Sequence, residues 1–152
     1  TRCATRSTVI AVDTNVLVDA HRADSLFHDR ARLALESLAA GARESAIPWP
    51  CAHGFFAVVT HPRIYKTPTP PETAFAQLRA LSTLANLAFI TEADEYLLHL
   101  ESLALPATAR GGAIHDARIA AICLSHGVAE LWSTDRDFSR FPALAVRNPL
   151  IG

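Results

Sequence analysis

The sequence predicts an α/β fold, a three-layer sandwich with a mostly parallel central sheet. Short apolar runs recur at residues 9–12, 46–48, 87–90 and 130–133. The first of these, Val9-Ile10-Ala11-Val12, is continuously apolar rather than alternating, as in strands buried on both faces. Between the runs lie longer stretches with apolar residues at helical spacing. Strands alternating with helices over a single core give a parallel sheet covered on both sides.

The first strand ends at Asp13, and Thr14 and Asn15 turn the chain into a stretch over 16–20. Residues 28–40 set Ala31, Leu35, Leu38 and Ala39 on a helix, with Gly41 where a C-cap glycine belongs. After the strand at 46–48, residues 49–60 read as a buried helix stopped by His61-Pro62. The cluster Pro68, Pro70, Pro71 is a loop feeding the next helix, with Ala74, Leu78, Leu81 and Ala85 on one face. The strand at 87–90 is followed by a helix over 92–105, predicted to turn Ala93, Leu97, Leu100 and Ala104 inward. Residues 106–112 form a loop, and 114–126 a helix closed by Gly127. That helix is apolar nearly all round and therefore central. The strand at 130–133 runs into Thr134-Asp135, and a turn of helix and a last strand near 143–146 complete the order.

A chain of 152 residues is one domain's worth, taken as residues 9–152 after an N-terminal extension of residues 1–8. With 50% hydrophobic and 19% charged residues it is no disordered tail. No apolar stretch is long enough to cross a membrane, and the apolar run after Arg2 and Arg6 is too short for a signal peptide. Cys3, Cys51 and Cys123 are scattered, which predicts a reducing cytoplasm and no disulfide framework. A net charge of −1 excludes a uniformly basic nucleic-acid surface, so any nucleic acid is held by a local patch.

Most of the 15 acidic residues fall on solvated helix faces, among them Asp29, Glu36, Glu72, Glu92 and Glu101. Asp13 and Asp135 instead follow apolar strands, and Asp116 lies near the start of the most apolar helix. The carboxyl ends of strands in an open parallel sheet form the edge where ligands bind. These acids therefore converge on one crevice, with Asp137 as a possible fourth. Singly, each has an ordinary reading: Asp13 as a helix cap, Asp116 as a partner of the helix dipole, Asp135 as a turn residue. Jointly they repel one another, and the usual remedy is a hard divalent cation such as Mg²⁺ or Mn²⁺. Such a site is equipped for phosphodiester cleavage.

The seven histidines show no zinc-ligand pattern, no G-x-S-x-G or phosphate loop is present, and Gly111-Gly112 reads as a hinge. Lys66 is the one lysine; Arg63 lies near it, and Arg110, Arg118, Arg136 and Arg140 lie near the acids in sequence. Arginine forks suit phosphate.

Four blocks, Val-Asp13-Thr-Asn15-Val-Leu, Thr60-His-Pro-Arg63-Ile-Tyr, Asp116-Ala-Arg-Ile-Ala-Ala121 and Thr134-Asp-Arg-Asp-Phe138, resemble those of a PIN-domain ribonuclease, more narrowly a VapC-type toxin of VapBC toxin–antitoxin systems. The likeness runs over residues 9–150. It implies a Mg²⁺- or Mn²⁺-dependent endoribonuclease acting on structured RNA such as tRNA or rRNA, a homodimer, and a cognate VapB-type antitoxin. By the same likeness Asp13, Asp116 and Asp135 match the metal-holding acids, and Asp137 an auxiliary acid. Asn15 matches a polar neighbour of the first acid and Thr134 a hydroxyl near the metal. Arg118 and Arg63 are taken, from their charge and chemistry, as substrate or second-layer candidates. One departure stands out: the family usually carries a further acid on the helix at 49–60, where Pro50, His53 and Gly54 stand here.

Two rival readings follow. A haloacid-dehalogenase-like phosphatase needs a second acid two residues after the first, where Asn15 stands. A catalytically impaired PIN-like binding module is supported by the missing helix acid.

Overall fold

The computed structural model describes residues 7–151, so Cys3 and most of the 1–8 extension lie outside the described residues. The elements are β1 (Ile10–Val12), α1 (Thr14–His21), α2 (His28–Ala40), β2 (Ser45–Pro48), α3 (Trp49–Val59) and α4 (Pro71–Ser82), then β3 (Leu87–Ile90), α5 (Tyr96–Ala104), α6 (Ala113–Ser125), β4 (Glu130–Trp132), a 3-10 turn (Arg136–Arg140) and β5 (Val146–Arg147). The sheet order is β3-β2-β1-β4-β5, and every pairing is parallel.

Successive strand residues point to opposite faces, and β1 divides its side chains accordingly. Ile10 and Val12 pack with Ile47, Trp132 and the α1–α4 residues Val16, Leu38, Phe55 and Ala74. Ala11 packs with Ala46, Leu131 and the α5–α6 residues Leu103, Ala117, Ala120 and Ile122, joined by Phe138 and Phe141. The sheet is thus the middle of three layers, which explains why its central strand β1 is continuously apolar. Helix α6 buries Ala117, Ala120, Ala121, Ile122 and Cys123, the central position its composition predicts.

Several boundaries differ from expectation. Helix α1 starts at Thr14, directly after Asp13. Helix α5 starts at Tyr96, four residues later than predicted, because Glu95 takes a left-handed conformation (φ 68°) before it. Its inward face is Tyr96, Leu100, Leu103 and Ala104, which dock on the α6 cluster, whereas Leu97 is 69% exposed. Ala85 lies beyond α4. The last strand is Val146–Arg147 rather than 143–146, since Leu144 turns into the core beside Phe141. Gly41 does cap α2, but at φ −80°; a Cβ there would meet Ser37 O at 3.0 Å, so closeness rather than handedness calls for glycine. Gly127, at φ +66°, supplies the left-handed residue after α6.

From β1 the chain moves to β2 on one side, while β4 lies on the other. The gap outside the carboxyl ends of β1 and β4 is therefore the switch point of the sheet, where ligands bind in folds of this kind.

Candidate active site

Val12 is in register with Trp132, so the residues that follow, Asp13 and Ser133, emerge side by side at that switch point. Asp13 N–H donates to Trp132 O at 2.9 Å. Asp13 is only 5% exposed, a costly placement for a carboxylate unless its oxygens are hydrogen-bonded. Both are: Oδ2 accepts from Ser133 Oγ at 2.6 Å and Oδ1 from Cys51 Sγ at 3.3 Å. Asp13 stands at the N-cap of α1 yet makes no side-chain capping bond. The cap reading fails.

Ser133 extends the arrangement outward. Its Oγ accepts from Asp135 N–H at 3.0 Å, and Asp135 Oδ1 accepts from Asp137 N–H at 2.8 Å, capping the 3-10 turn. Asp135 is thus the turn residue its sequence context suggests and a member of the acid cluster as well. Buried Phe138 and Phe141 pin this turn into the α6 layer, whose first turn carries Asp116. One carboxylate oxygen each from Asp116, Asp135 and Asp137 lies within 4.8 Å of the others. Asp13 is outside this group and is joined to it through Ser133.

The cluster repels itself. The Asp116 carboxyl is held above the ordinary carboxylate range by burial first, then by the charges of Asp135, Asp13 and Asp137, with Arg140 opposing. Among the described residues, none of the four acids has an ion-pair partner. Three carboxylate oxygens at this spacing form an all-oxygen donor set that fits a hard divalent cation.

Helix α3 explains the missing acid. Cys51 faces Asp13, and burial, then the Asp13 charge, pushes its thiol well above the ordinary cysteine value, so it stays an S–H donor. The Cys123 thiol is pushed up to about 12 by burial and by Asp13. Among the described residues, Cys51 and Cys123 are free and buried. At Gly54 a Cβ would stand 2.6 Å from Thr14 Oγ1, which itself donates to Cys51 O at 3.2 Å. Position 54 has no room for a side chain while Thr14 is there. His53 is exposed beside the Trp49 ring, with centroids 6.0 Å apart.

The remaining candidates scatter. Asn15 is exposed on the first turn of α1, and Thr134 is half-buried between Ser133 and Asp135. Arg118 is engaged by Glu92 at 3.2 Å. Arg63 lies in the loop after α3, where its N–H donates to His61 Nδ1 at 3.0 Å, and makes no hydrogen bond to the acids among the described residues. Sequence reasoning missed Ser133 and Cys51. Ser133 had a signal, a polar residue directly after an apolar strand, as Asp13 is; Cys51 had none.

Comparison with known proteins agrees with this architecture. A family profile described as PIN domain matches residues 10–144. Ribonuclease VapC48 of Mycobacterium tuberculosis is 34% identical over 140 residues, 92% of this chain and 97% of that protein. Ribonuclease VapC43 of the same organism is 36% identical over 144 residues, 95% and 97% of the two chains. Among solved structures, VapBC2 from Rickettsia felis bound to a promoter DNA fragment superposes with a TM-score of 0.68 at 20% identity, covering 93% of this chain and 98% of that one. FitAB bound to an IR36 DNA fragment gives 0.66 at 19% identity, covering 93% and 96%. With the fold shared throughout and the family profile spanning most of its length, the chain belongs to the PIN-domain family, among the VapC ribonucleases.

Proposed function

We propose that this protein is a metal-dependent endoribonuclease, the toxin of a toxin–antitoxin pair, cutting phosphodiester bonds in structured RNA such as tRNA or rRNA. The observation that carries this reading is the gathering of Asp116, Asp135 and Asp137 at the sheet's switch point, with Asp13 bonded in behind them. Mg²⁺ or Mn²⁺ held by Asp116 and Asp135, with Asp13 behind and Asp137 auxiliary, would supply charge neutralisation at the phosphodiester and acidify water there.

The chain's own groups do the rest. Asp13, fixed by Ser133 and Cys51, sets the Ser133 hydroxyl, which in turn fixes the Asp135 backbone and the turn that follows. Asp116, half-buried beside Asp135 and Asp137, is placed to take a proton from the attacking water at a carboxylate oxygen. The water oxygen bonds to phosphorus as the bond to the 3′ oxygen breaks. The proton passes to that oxygen, leaving a 3′-hydroxyl and a 5′-phosphate. Arg140, close enough to act on Asp116, offers charge to the phosphate.

The partners belong to the same proposal: a VapB-type antitoxin and a homodimer, acting in the cytoplasm. No helix among the described residues is long and apolar enough to cross a membrane. The test is RNA cleavage with Mn²⁺ by wild type and Asp116→Asn, with Mn²⁺ uptake measured by calorimetry. A loss of about 10³-fold is expected, from several kcal/mol of lost charge stabilisation; equal cleavage refutes the assignment. Cys51 and Gly54 in place of an acid on α3 favour one alternative, an impaired binding module. Wild type that binds RNA or an antitoxin but takes up no Mn²⁺ would favour it.

A further inference from the structure

Next to the acids opens a cavity of about 490 Å³. Thr134, Asp135, Arg136 and Ser139 line it, together with Val146 and Asn148 from the end of the chain. We propose that it seats one unstacked ribonucleotide, the neighbour of the phosphodiester that is cut; this rests on the endoribonuclease reading above.

Three features point that way. First, the cavity shares Asp135 with the acid cluster, so an occupant lies beside the reacting edge. Second, its volume falls in the range of roughly 300–1,000 Å³ typical of small-ligand sites. Third, its chemistry suits a nucleotide. Arg136 is exposed and without an ion-pair partner among the described residues, and its planar fork matches phosphate. Asn148 Oδ1 accepts from Leu150 N–H at 2.9 Å, which leaves the Nδ2 donor pair for an acceptor on a base edge. The Ser139 and Thr134 hydroxyls serve sugar or base, and Val146, 37% exposed, gives a base an apolar surface.

The other openings lack this combination. The groove of about 430 Å³ between α3 and α4, walled by Trp49, Phe56 and Phe75, carries no acid and no arginine. The hollow of about 410 Å³ at Arg30 and Arg147 shares no acid with the cluster. Sequence-specific RNA recognition favours single-stranded, splayed-out nucleotides, and a cavity for one nucleotide beside the cutting edge is that arrangement.

The test is an NMR titration of the ¹⁵N-labelled, metal-free chain with AMP, UMP, GMP and CMP, and with inorganic phosphate as control. Expected are saturable shifts of the Asn148 side-chain amide and the Ser139 backbone amide, with affinity reduced about tenfold by Asn148→Ala and by the exposed Arg136→Ala. On RNA with Mn²⁺, the same variants should raise KM more than they lower kcat and blur the base preference at one position beside the cut. Shifts confined to Trp49 or Arg147, or fully reproduced by inorganic phosphate, overturn the proposal. Nucleotide binding as expected in a protein that cuts no RNA sinks the endoribonuclease reading and keeps the nucleotide seat. RNA cleavage with nucleotide binding elsewhere does the reverse.

Discussion

Asp13 and Asp116 are the same residue type, close enough for one charge to act on the other, yet the protein treats them in opposite ways. Asp13 is enclosed by β1, β4 and α3, and both of its oxygens are taken by protein donors. Asp116 is half-buried on the first turn of α6, faces Asp135 and Asp137, and has no ion-pair partner among the described residues. The inner acid is part of the framework. The outer three are held near one another at an energetic cost that a cation or a proton relieves.

Replacing one acid from each half is the sharpest way to break this contrast. Asp13→Ala removes the acceptor from two buried donors, Ser133 Oγ–H and Cys51 S–H. Each buried donor left unsatisfied costs about 1–3 kcal/mol, and each kcal/mol lowers the thermal midpoint by about 2–4 °C in a chain near this size. Asp116→Asn removes no such bond and should leave the midpoint unchanged or higher, while both variants lose cleavage. Paired melting curves and RNA-cleavage assays read the split. Equal destabilisation by the two would show that the framework and the open half are not distinct.

The legibility of the sequence follows the same line. The continuous apolar run ending at Asp13 exposed both the buried strand and its acid, because two-sided burial and a strand-end carboxylate are local features. Ser133 carried a local signal as the polar residue after an apolar strand, but its bond to Asp13 depended on the register of β1 against β4, 120 positions apart in sequence, which no local pattern encodes. Cys51 looked like any core cysteine, since its role lies in what it faces. Helix α5 was misoriented because its leucines occupy more than one face; Leu97 and Leu98 are each 69% exposed, and docking on α6 selected Leu100 and Leu103. Asp137 joined the cluster more closely than Asp13, because the 3-10 turn brings it beside Asp135.

Helix α3 permits a second, milder test of the framework half. Alanine normally favours a helix over glycine by about 1 kcal/mol. At position 54, however, the added Cβ meets Thr14 Oγ1 at 2.6 Å and Thr14 Cγ2 at 3.1 Å. Overpacking of this kind costs about 1–3 kcal/mol, so Gly54→Ala should destabilise on balance. The double variant Gly54→Ala, Thr14→Ala should recover most of that loss in urea unfolding. If Gly54→Ala alone is stabilising, Thr14 moves aside freely, and the crowding account of the missing acid fails.

The smallest expected effect concerns the open half and its sign. Folding raises the Asp116 pKa above the ordinary carboxylate value, through burial first and then the charges of Asp135, Asp13 and Asp137, so folding disfavours the ionised form. The contribution of this group to stability is therefore fully present below that value and is lost as pH rises through the folded-state pKa. Asp116→Asn cannot ionise and escapes the loss. In EDTA at pH 7 it should melt above wild type, by about 1–2 °C once solvent screening of a half-exposed group is allowed for. The two curves should converge as pH falls below 4. Mn²⁺ should reverse the order at neutral pH, because a cation that binds the folded wild type stabilises it by mass action and binds the variant less. Scanning calorimetry across pH, with and without Mn²⁺, reads both signs; a variant that melts below wild type in EDTA would mean that the acids do not strain against one another and that the open half needs no cation.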